Sequence, residues 1–451
     1  MTQDTICAIS TAIGVGGISI IRVSGDDALK VVSKFFTAKN FSVDNIKPRY
    51  MYLGKFNLGD FSEHCLCVYF KAPNSYTGED LVEFQCHGGV AITNLILKTI
   101  MSSGIRLAEA GEFTKRAFLN KKISLDEAEG VIDIINAESD SELKAGYNLL
   151  QGNLQREIAK IQKELTDTLA FIDVNFDYPE YDIEDITASE VLTRMHKLEE
   201  QILDIRKTAD TGMTIKNGCR VVILGKPNVG KSSIMNALLN YNRAIVTDIK
   251  GTTRDTLEET FTYNGVKFII VDTAGIRESD DTVEKIGVDR SVEAINMADI
   301  VLLILDGSCE LSEDDQKIIN LIKDKKVLVV VNKNDLGQKL DTSKLPFNNV
   351  ITTSALLKNG INDVKQKLFD MMIDEKIMNS SVIITNTRHI NALDRALESL
   401  KNVIESLNNH VSLELVAVDI YNVWSVLGEI TGETNNEEII NSIFMNFCVG
   451  K

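Results

Sequence analysis

Over residues 1–119 the apolar positions come in short runs, several alternating with polar ones, and turn residues separate them. Thr5–Ser10 and Gly17–Val23 read as strands parted by the glycine-rich Gly14-Val15-Gly16-Gly17. Asp26–Phe36 reads as a helix, and Tyr50–Leu58 and Cys65–Phe70 read as further strands. After the turn-rich Pro73-Asn74-Ser75-Tyr76-Thr77-Gly78-Glu79-Asp80, a strand from Leu81 puts Val82, Phe84 and Cys86 on one face and Glu83 and Gln85 on the other. Alternation alone leaves that polar pair either as a solvated face or as one turned towards a ligand. Gly88-Gly89 opens a helix, Val90–Met101, whose N-terminal amides can hold an anion.

From about Leu119 the period becomes helical. Leu154, Ile158, Ile161, Leu165 and Ile172 recur at three- and four-residue steps, with Leu169 inside the last, which is the pattern of bundle packing. Asp173–Asp185 is acidic and interrupted by Pro179, and another helix follows over about Ser189–Thr208. The helical period returns after residue 386, in Leu393, Ala396, Leu397, Leu400, Val403 and Leu407, and continues over Leu413–Leu427 and Asn436–Phe447. Between about 216 and 375, apolar strands instead alternate with helices, as a doubly wound sheet requires. The expected fold is mixed α/β and α. An N-terminal α+β domain takes 1–119, a helical domain takes 120–215 and 377–451, and a doubly wound domain at 216–376 is inserted into it. Insertion costs little where the host domain's termini lie together at the surface.

The inserted region carries the chemistry. Val221-Val222-Ile223-Leu224 feeds Gly225-Lys226-Pro227-Asn228-Val229-Gly230-Lys231-Ser232, and a helix follows from Ser233. Strand, glycine loop and helix in that order form a phosphate-binding loop. Its amides, through Gly230 and into the helix at Ser233, face phosphate, Lys231 reaches the terminal phosphates and the Ser232 hydroxyl is placed for Mg²⁺. A strand over Lys267–Val271 ends in Asp272-Thr273-Ala274-Gly275, where the carboxylate can hold the Mg²⁺ shell and the Gly275 amide can meet a γ-phosphate. Gly251-Thr252-Thr253-Arg254-Asp255 stands where a switch loop belongs, with Thr253 available to Mg²⁺. Strands Ile300–Leu305 and Val327–Val331 follow, the second ending in Asn332-Lys333-Asn334-Asp335. Asp335 can accept from guanine N–H donors that adenine lacks, which selects GTP and disfavours an ATPase. Ser354-Ala355, after Thr353, suits a backbone contact to the guanine oxygen. At the position after Asp-x-x-Gly, where Ras-like GTPases carry a water-positioning Gln, stands Ile276. A substitute must come from elsewhere, and Glu278, Asp280, Asp281 and Glu284 are all candidates by spacing.

Composition narrows the setting. The 451 residues, 44% hydrophobic, allow two or three domains, and no apolar run is long enough to span a bilayer. With no signal peptide legible, a cytoplasmic protein off the membrane is expected. The seven scattered cysteines contain no Cys-x-x-Cys pair and fit free thiols. A net charge of −17 argues against a broad nucleic-acid-binding face, so RNA contact is local or shared with a partner.

The loops Gly225–Ser232 and Gly251–Asp255, the N-terminal Pro73–Asp80 and His87-Gly88-Gly89, and the C-terminal Phe447-Cys448-Val449-Gly450-Lys451 together resemble the MnmE (TrmE) family of tRNA-modification GTPases over the whole chain. The family ending has Ile where Val449 stands, and the stretch after Thr11 lacks the Pro and Arg of relatives. The resemblance implies a homodimer built through N-terminal domains, with G domains that meet across K⁺ held by Asn228, Thr247, Ile249 and Thr252. It implies Glu284 as the water-orienting acid and Arg254 and Asp255 as switch residues of activation. It implies a tetrahydrofolate derivative at Arg22, Glu83, Lys122 and Lys451, which gives Glu83 a task that alternation could not. Finally it implies a flavoprotein partner, MnmG, joined in a heterotetramer and supplying FAD. The one-carbon unit then ends as an aminomethyl or carboxymethylaminomethyl group on carbon 5 of the wobble uridine of certain tRNAs. Cys448 near Lys451 reads either as a catalytic thiol or as a small hydrophobe beside Phe447. The competing function is a partner-binding regulatory GTPase of the ribosome-assembly type, which would ignore folate and tolerate Cys448→Ser.

Overall fold

The computed structural model describes residues 4–39, 41–177, 188–239, 258–272, 293–434 and 437–451. Two compact units are present, one of residues 1–132, 149–198 and 392–451, the other of 133–148 and 199–391.

In the first unit, β1 (Ile6–Ile9), β2 (Gly16–Ser24), β3 (Phe36–Ala38), β4 (Met51–Asn57), β5 (Ser62–Phe70), β6 (Leu81–Gly88) and β7 (Arg106–Leu107) form one sheet in the order β3-β4-β5-β6-β2-β1-β7. All neighbours are antiparallel except β1 and β7. The helices Ala28–Phe35 and Val90–Met101 cover one face, where Val82, Phe84 and Cys86 are buried as their alternation predicts. β2 begins inside the glycine stretch, because Gly16 pairs with Gly88 at a distance where a Cβ on Gly88 would lie 2.5 Å from Gly16 O. Only glycine permits that approach.

The helical part of this unit packs Asn153–Asp177 along Leu413–Thr431. Leu154, Ile158, Ile161, Leu165 and Ile172 are all buried there, and Gln162 Nε2 donates to Trp424 O at 3.2 Å. Leu125, Ala128, Ile440, Phe444 and Phe447 form a separate apolar cluster beneath the C-terminus. Among the described residues no helix is long and apolar enough to cross a membrane.

In the second unit, β8 (Cys219–Leu224), β9 (Glu258–Tyr263), β10 (Val266–Asp272), β11 (Ile300–Asp306), β12 (Val327–Asn332) and β13 (Val350–Thr352) lie in the order β13-β12-β11-β8-β10-β9. All pairs are parallel except β9 with β10. Unbroken apolar strands are what a sheet covered on both faces needs. Ile300, Leu302 and Ile304 of β11 enter one core with the helices Lys231–Leu239 and Ile361–Met372, while Val301, Leu303 and Leu305 enter the other with the helix Glu313–Ile322. The β9–β10 hairpin is an element the hydrophobic pattern did not bring out. Its signal is Asn264-Gly265, two residues of φ +48° and +79° between Tyr263 and its partner Val266, the two-residue turn favoured between antiparallel strands. The chain runs from β8 to β10 on one side, then crosses to β11 on the other. The carboxyl end of β8 therefore lies where the winding reverses, the ligand-binding crevice of open α/β sheets.

Candidate active site

At that crevice Gly225 leaves β8 with φ +148°, and a Cβ on it would stand 2.4 Å from Ile304 O of β11. Glycine alone lets the chain turn so close to the neighbouring strand. Val229 is buried and anchors the loop, while Gly230, φ +100°, passes Asn332 so closely that a Cβ would meet its Nδ2 at 2.2 Å. Asn332 Nδ2 donates to Val229 O at 2.9 Å. The helix Lys231–Leu239 then starts with exposed Ser232 and Ser233, and Lys231 Nζ donates to Gly225 O at 2.8 Å and Lys226 O at 2.9 Å. Asn228, at φ +65°, lies on the exposed rim of this cradle.

The same Asn332, 3% exposed, also organises the other wall. Its Oδ1 accepts from Ala355 N at 3.0 Å and from Thr353 Oγ1 at 3.4 Å. Lys333, at φ +65°, directs Nζ to Asp306 Oδ2 at 2.6 Å. Burial works to raise the Asp306 carboxyl, but the bonds from Lys333 and Ser308 outweigh it and hold the group below the usual carboxylate range. Asp335 Oδ1 accepts from Ser354 Oγ at 2.6 Å. One crevice thus gathers Asn228, Gly230, Lys231, Ser232, Ser233, Asn332, Lys333, Asp335, Ser354 and Ala355. Asp272 ends β10 paired with Ile223, beside the loop. The glycine cradle, the lysine amine and the helix N-terminal hydroxyls suit a phosphate chain and a Mg²⁺ ion. Thr247, Ile249, Thr252, Thr253, Arg254, Asp255, Gly275 and Glu284 lie outside the described residues.

The first unit holds a second cluster. Arg22 of β2 and Glu83 of β6 are direct cross-strand partners, and Arg22 Nε and Nη2 both donate to Glu83 Oε1, at 3.0 and 2.8 Å. Two residues missed in the sequence complete the site: the Arg22 guanidinium lies 5.3 Å from the Tyr76 ring centroid and 5.6 Å from that of Phe113. Only Tyr76, an aromatic in a loop otherwise made of turn residues, carried a signal. Its hydroxyl bonds Thr114 Oγ1 at 2.8 Å, and burial pushes its pKa up. Lys122 Nζ donates to Pro73 O at 3.0 Å, at the start of the Tyr76 loop. The loop is pinned through Glu79 by Arg116, which is 4% exposed and also bonds Asp4 and Glu112.

The C-terminal tail reaches the same cluster. Gly111 N donates to Cys448 O at 3.3 Å, Ala110 bridges Val449, and Phe113 N donates to Lys451 O at 3.2 Å. Gly450, φ +95°, passes Ile9 where a Cβ would meet Ile9 O at 2.1 Å. Phe113 therefore touches Arg22 with its ring and Lys451 with its amide, while the Cys448 thiol is exposed.

The family model of the MnmE helical domain matches residues 125–448, and that of the GTP-binding protein TrmE N-terminus matches residues 5–122. The tRNA modification GTPase MnmE of Clostridioides difficile (strain 630) is 44% identical over 458 residues, covering 100% of this chain and 99% of that protein. The chain belongs to the MnmE family. The MnmE of Alkaliphilus metalliredigens (strain QYMF) is 42% identical with the same coverage. Among solved structures, the G domain of the T. maritima FeoB iron transporter is 27% identical at TM-score 0.27, covering 34% of this chain and 98% of that one. Era in complex with MgGDPNP and a segment of 16S ribosomal RNA is 25% identical at TM-score 0.29, covering 40% and 66%. This MnmE-family chain is a GTPase of tRNA modification, with an α+β N-terminal domain, a helical domain and a G domain.

Proposed function

We propose that the chain is a cytoplasmic, K⁺-dependent GTPase that works with the flavoprotein MnmG to place an aminomethyl or carboxymethylaminomethyl group on carbon 5 of the wobble uridine of certain tRNAs. The observation that carries this reading is the seating of Cys448–Lys451 on Gly111 and Phe113, whose ring lies against the Arg22 of the Arg22–Glu83 pair, in a chain that also holds a nucleotide crevice. A switch that only bound partners would have no use for such a cluster. We read 1–119 as the folate and dimerisation domain, 120–215 with 377–451 as the helical domain, and 216–376 as the G domain. The chain acts as a homodimer, joined by MnmG, which brings FAD, in a heterotetramer on tRNA.

In the crevice, Lys231 meets the terminal phosphates, Ser232 and Thr253 hold Mg²⁺, and Asp335 with Ala355 reads the guanine edge. Asn228, Thr247, Ile249 and Thr252 hold K⁺, which supplies positive charge against the transferring phosphoryl group. Glu284 orients the attacking water, and Arg254 and Asp255 belong to the switch. In the other cluster, Glu83 accepts from pterin N–H donors while Arg22, Lys122 and Lys451 face polar and anionic parts of a tetrahydrofolate. What supports this ligand is a Glu83 carboxylate already held by Arg22, whose guanidinium in turn lies against the Tyr76 and Phe113 rings.

The test is GTP hydrolysis by the purified protein in K⁺ against Na⁺ at matched ionic strength. Strong acceleration by K⁺ is expected, with loss of it in Asn228→Ala. Equal slow rates in both salts overturn the cation site and leave a partner-activated switch.

A further inference from the structure

Ser312 and Asp315 cap the helix Glu313–Ile322. Ser312 Oγ accepts from Asp315 N at 3.3 Å, and Asp315 Oδ2 accepts from Ser312 N at 3.0 Å and Ser312 Oγ at 2.6 Å. A capping box explains an acid at that position. It does not explain why a lysine of the phosphate loop reaches over to it. Lys226 Nζ donates to the same Oδ2 at 2.8 Å and to Ser312 Oγ at 3.2 Å. Nor does capping require burial, yet Asp315 is 3% exposed and its Oδ1 is buried with no hydrogen-bond partner among the described residues. A carboxylate so far removed from water depends on the one cation bonded to it.

What Lys226 carries is the first arm of the loop. The carbonyls of Gly225 and Lys226 both accept from the Lys231 amine. Behind the arm, Gly225 is held against Ile304 of β11, and in front of it Lys226 is held by the box that follows the same strand. Shifting this arm shifts the amine that meets the terminal phosphates. We propose that Asp315 is a positioning residue for nucleotide binding, acting through Lys226 to hold the first arm of the phosphate loop. Neither residue belongs to the phosphate, Mg²⁺, K⁺ or guanine contacts assigned above.

The proposal separates from plain helix capping by where the damage appears. Lys226→Met leaves the capping box intact, and Asp315→Asn leaves an acceptor at the cap while removing the charge. Titration of the full-length protein with a fluorescent GDP analogue should show each variant binding about tenfold more weakly, as loss of a charge-assisted bond implies. Lys226→Arg, which keeps the cation, should stay within about threefold of the parent. The double variant Lys226→Met with Asp315→Asn should bind no more weakly than the weaker single, because both remove one contact. Thermal melts establish that each variant is folded. If Asp315→Asn fails to fold, Lys226→Met and its Arg counterpart decide alone. Affinities within about twofold of the parent in folded Lys226→Met, or effects that multiply in the double variant, overturn the proposal.

Discussion

Gly450 shows how much one absent methyl group can hold. Its backbone has φ +95°, and the nearest atom to an added Cβ would be Ile9 O at 2.1 Å. Alanine would meet both a disfavoured backbone region and a clash with a main-chain carbonyl, a cost of about 1–3 kcal/mol for the strain alone. The tail has a cheaper response, which is to leave β1, and with it go the bonds from Gly111 N to Cys448 O and from Phe113 N to Lys451 O. In Gly450→Ala, hydrogen exchange at the amides of Gly111 and Phe113 should therefore accelerate by about tenfold or more. Unchanged exchange at both amides would show that the tail tolerates a side chain there. In the nucleotide crevice the candidate residues were legible in the sequence because they sit in motifs. Asp335 follows Asn332-Lys333-Asn334, and Lys231 follows a glycine. Asn332 was read only as part of that motif, yet it bonds Val229 on one wall and Ala355 on the other.

At the scale of elements, hydrophobic period placed Val90–Met101 and the buried strands β8, β10, β11 and β12 within a residue or two. It ended the helix Leu413–Thr431 at Leu427, carried Glu437–Phe444 on to Phe447, began β5 at Cys65 and left out the helix Glu112–Leu119. β9 escaped because its strand is half polar, Glu258–Tyr263, and is defined by its hairpin turn. Tyr76 and Phe113 escaped because their partner, Arg22, lies far away in sequence and spacing carries no information about cross-sheet stacking. Alternation placed Cys86 on the buried face, and burial decides the chemistry of five of the cysteines. Cys7 and Cys65 are pushed up to about 12 and Cys86 to about 11 by burial, and Cys67 and Cys219 are raised by the same cause. The thiolate is the reactive form, so at pH 8 these five are both protonated and covered. Cys309 and Cys448 are exposed. A coloured disulfide reagent at pH 8 should consume Cys309 and Cys448 quickly in the native protein, and the other five only after denaturant is added. Fast reaction of Cys65 or Cys86, located by peptide mapping, would mean that the sheet core opens on the time of the assay.

The whole molecule divides unevenly between what sequence shows and what only the fold shows. Motifs located the nucleotide crevice, and the resemblance brought Lys451 alone to Arg22, Glu83 and Lys122; that the whole of residues 392–451 shares a compact unit with residues 1–132 follows from packing distant in sequence. Ile440, Phe444 and Phe447 close over Leu125 and Ala128, and the tail beyond them reaches Phe113, so the last helix ties the C-terminus into the first unit through an apolar cluster of its own. The nucleotide crevice, by contrast, lies wholly within 199–391. A ligand that binds only the folded state stabilises the part that forms its site, by RT ln(1 + [L]/Kd), about 2.7 kcal/mol at a hundredfold excess over Kd. Calorimetry of the full chain should accordingly resolve two transitions, of which GDP moves one upward by several degrees and leaves the other in place. Gly450→Ala should lower the transition that GDP leaves alone, because the tail belongs to the first unit. A single transition that GDP and Gly450→Ala both move would mean that the two units melt as one cooperative body.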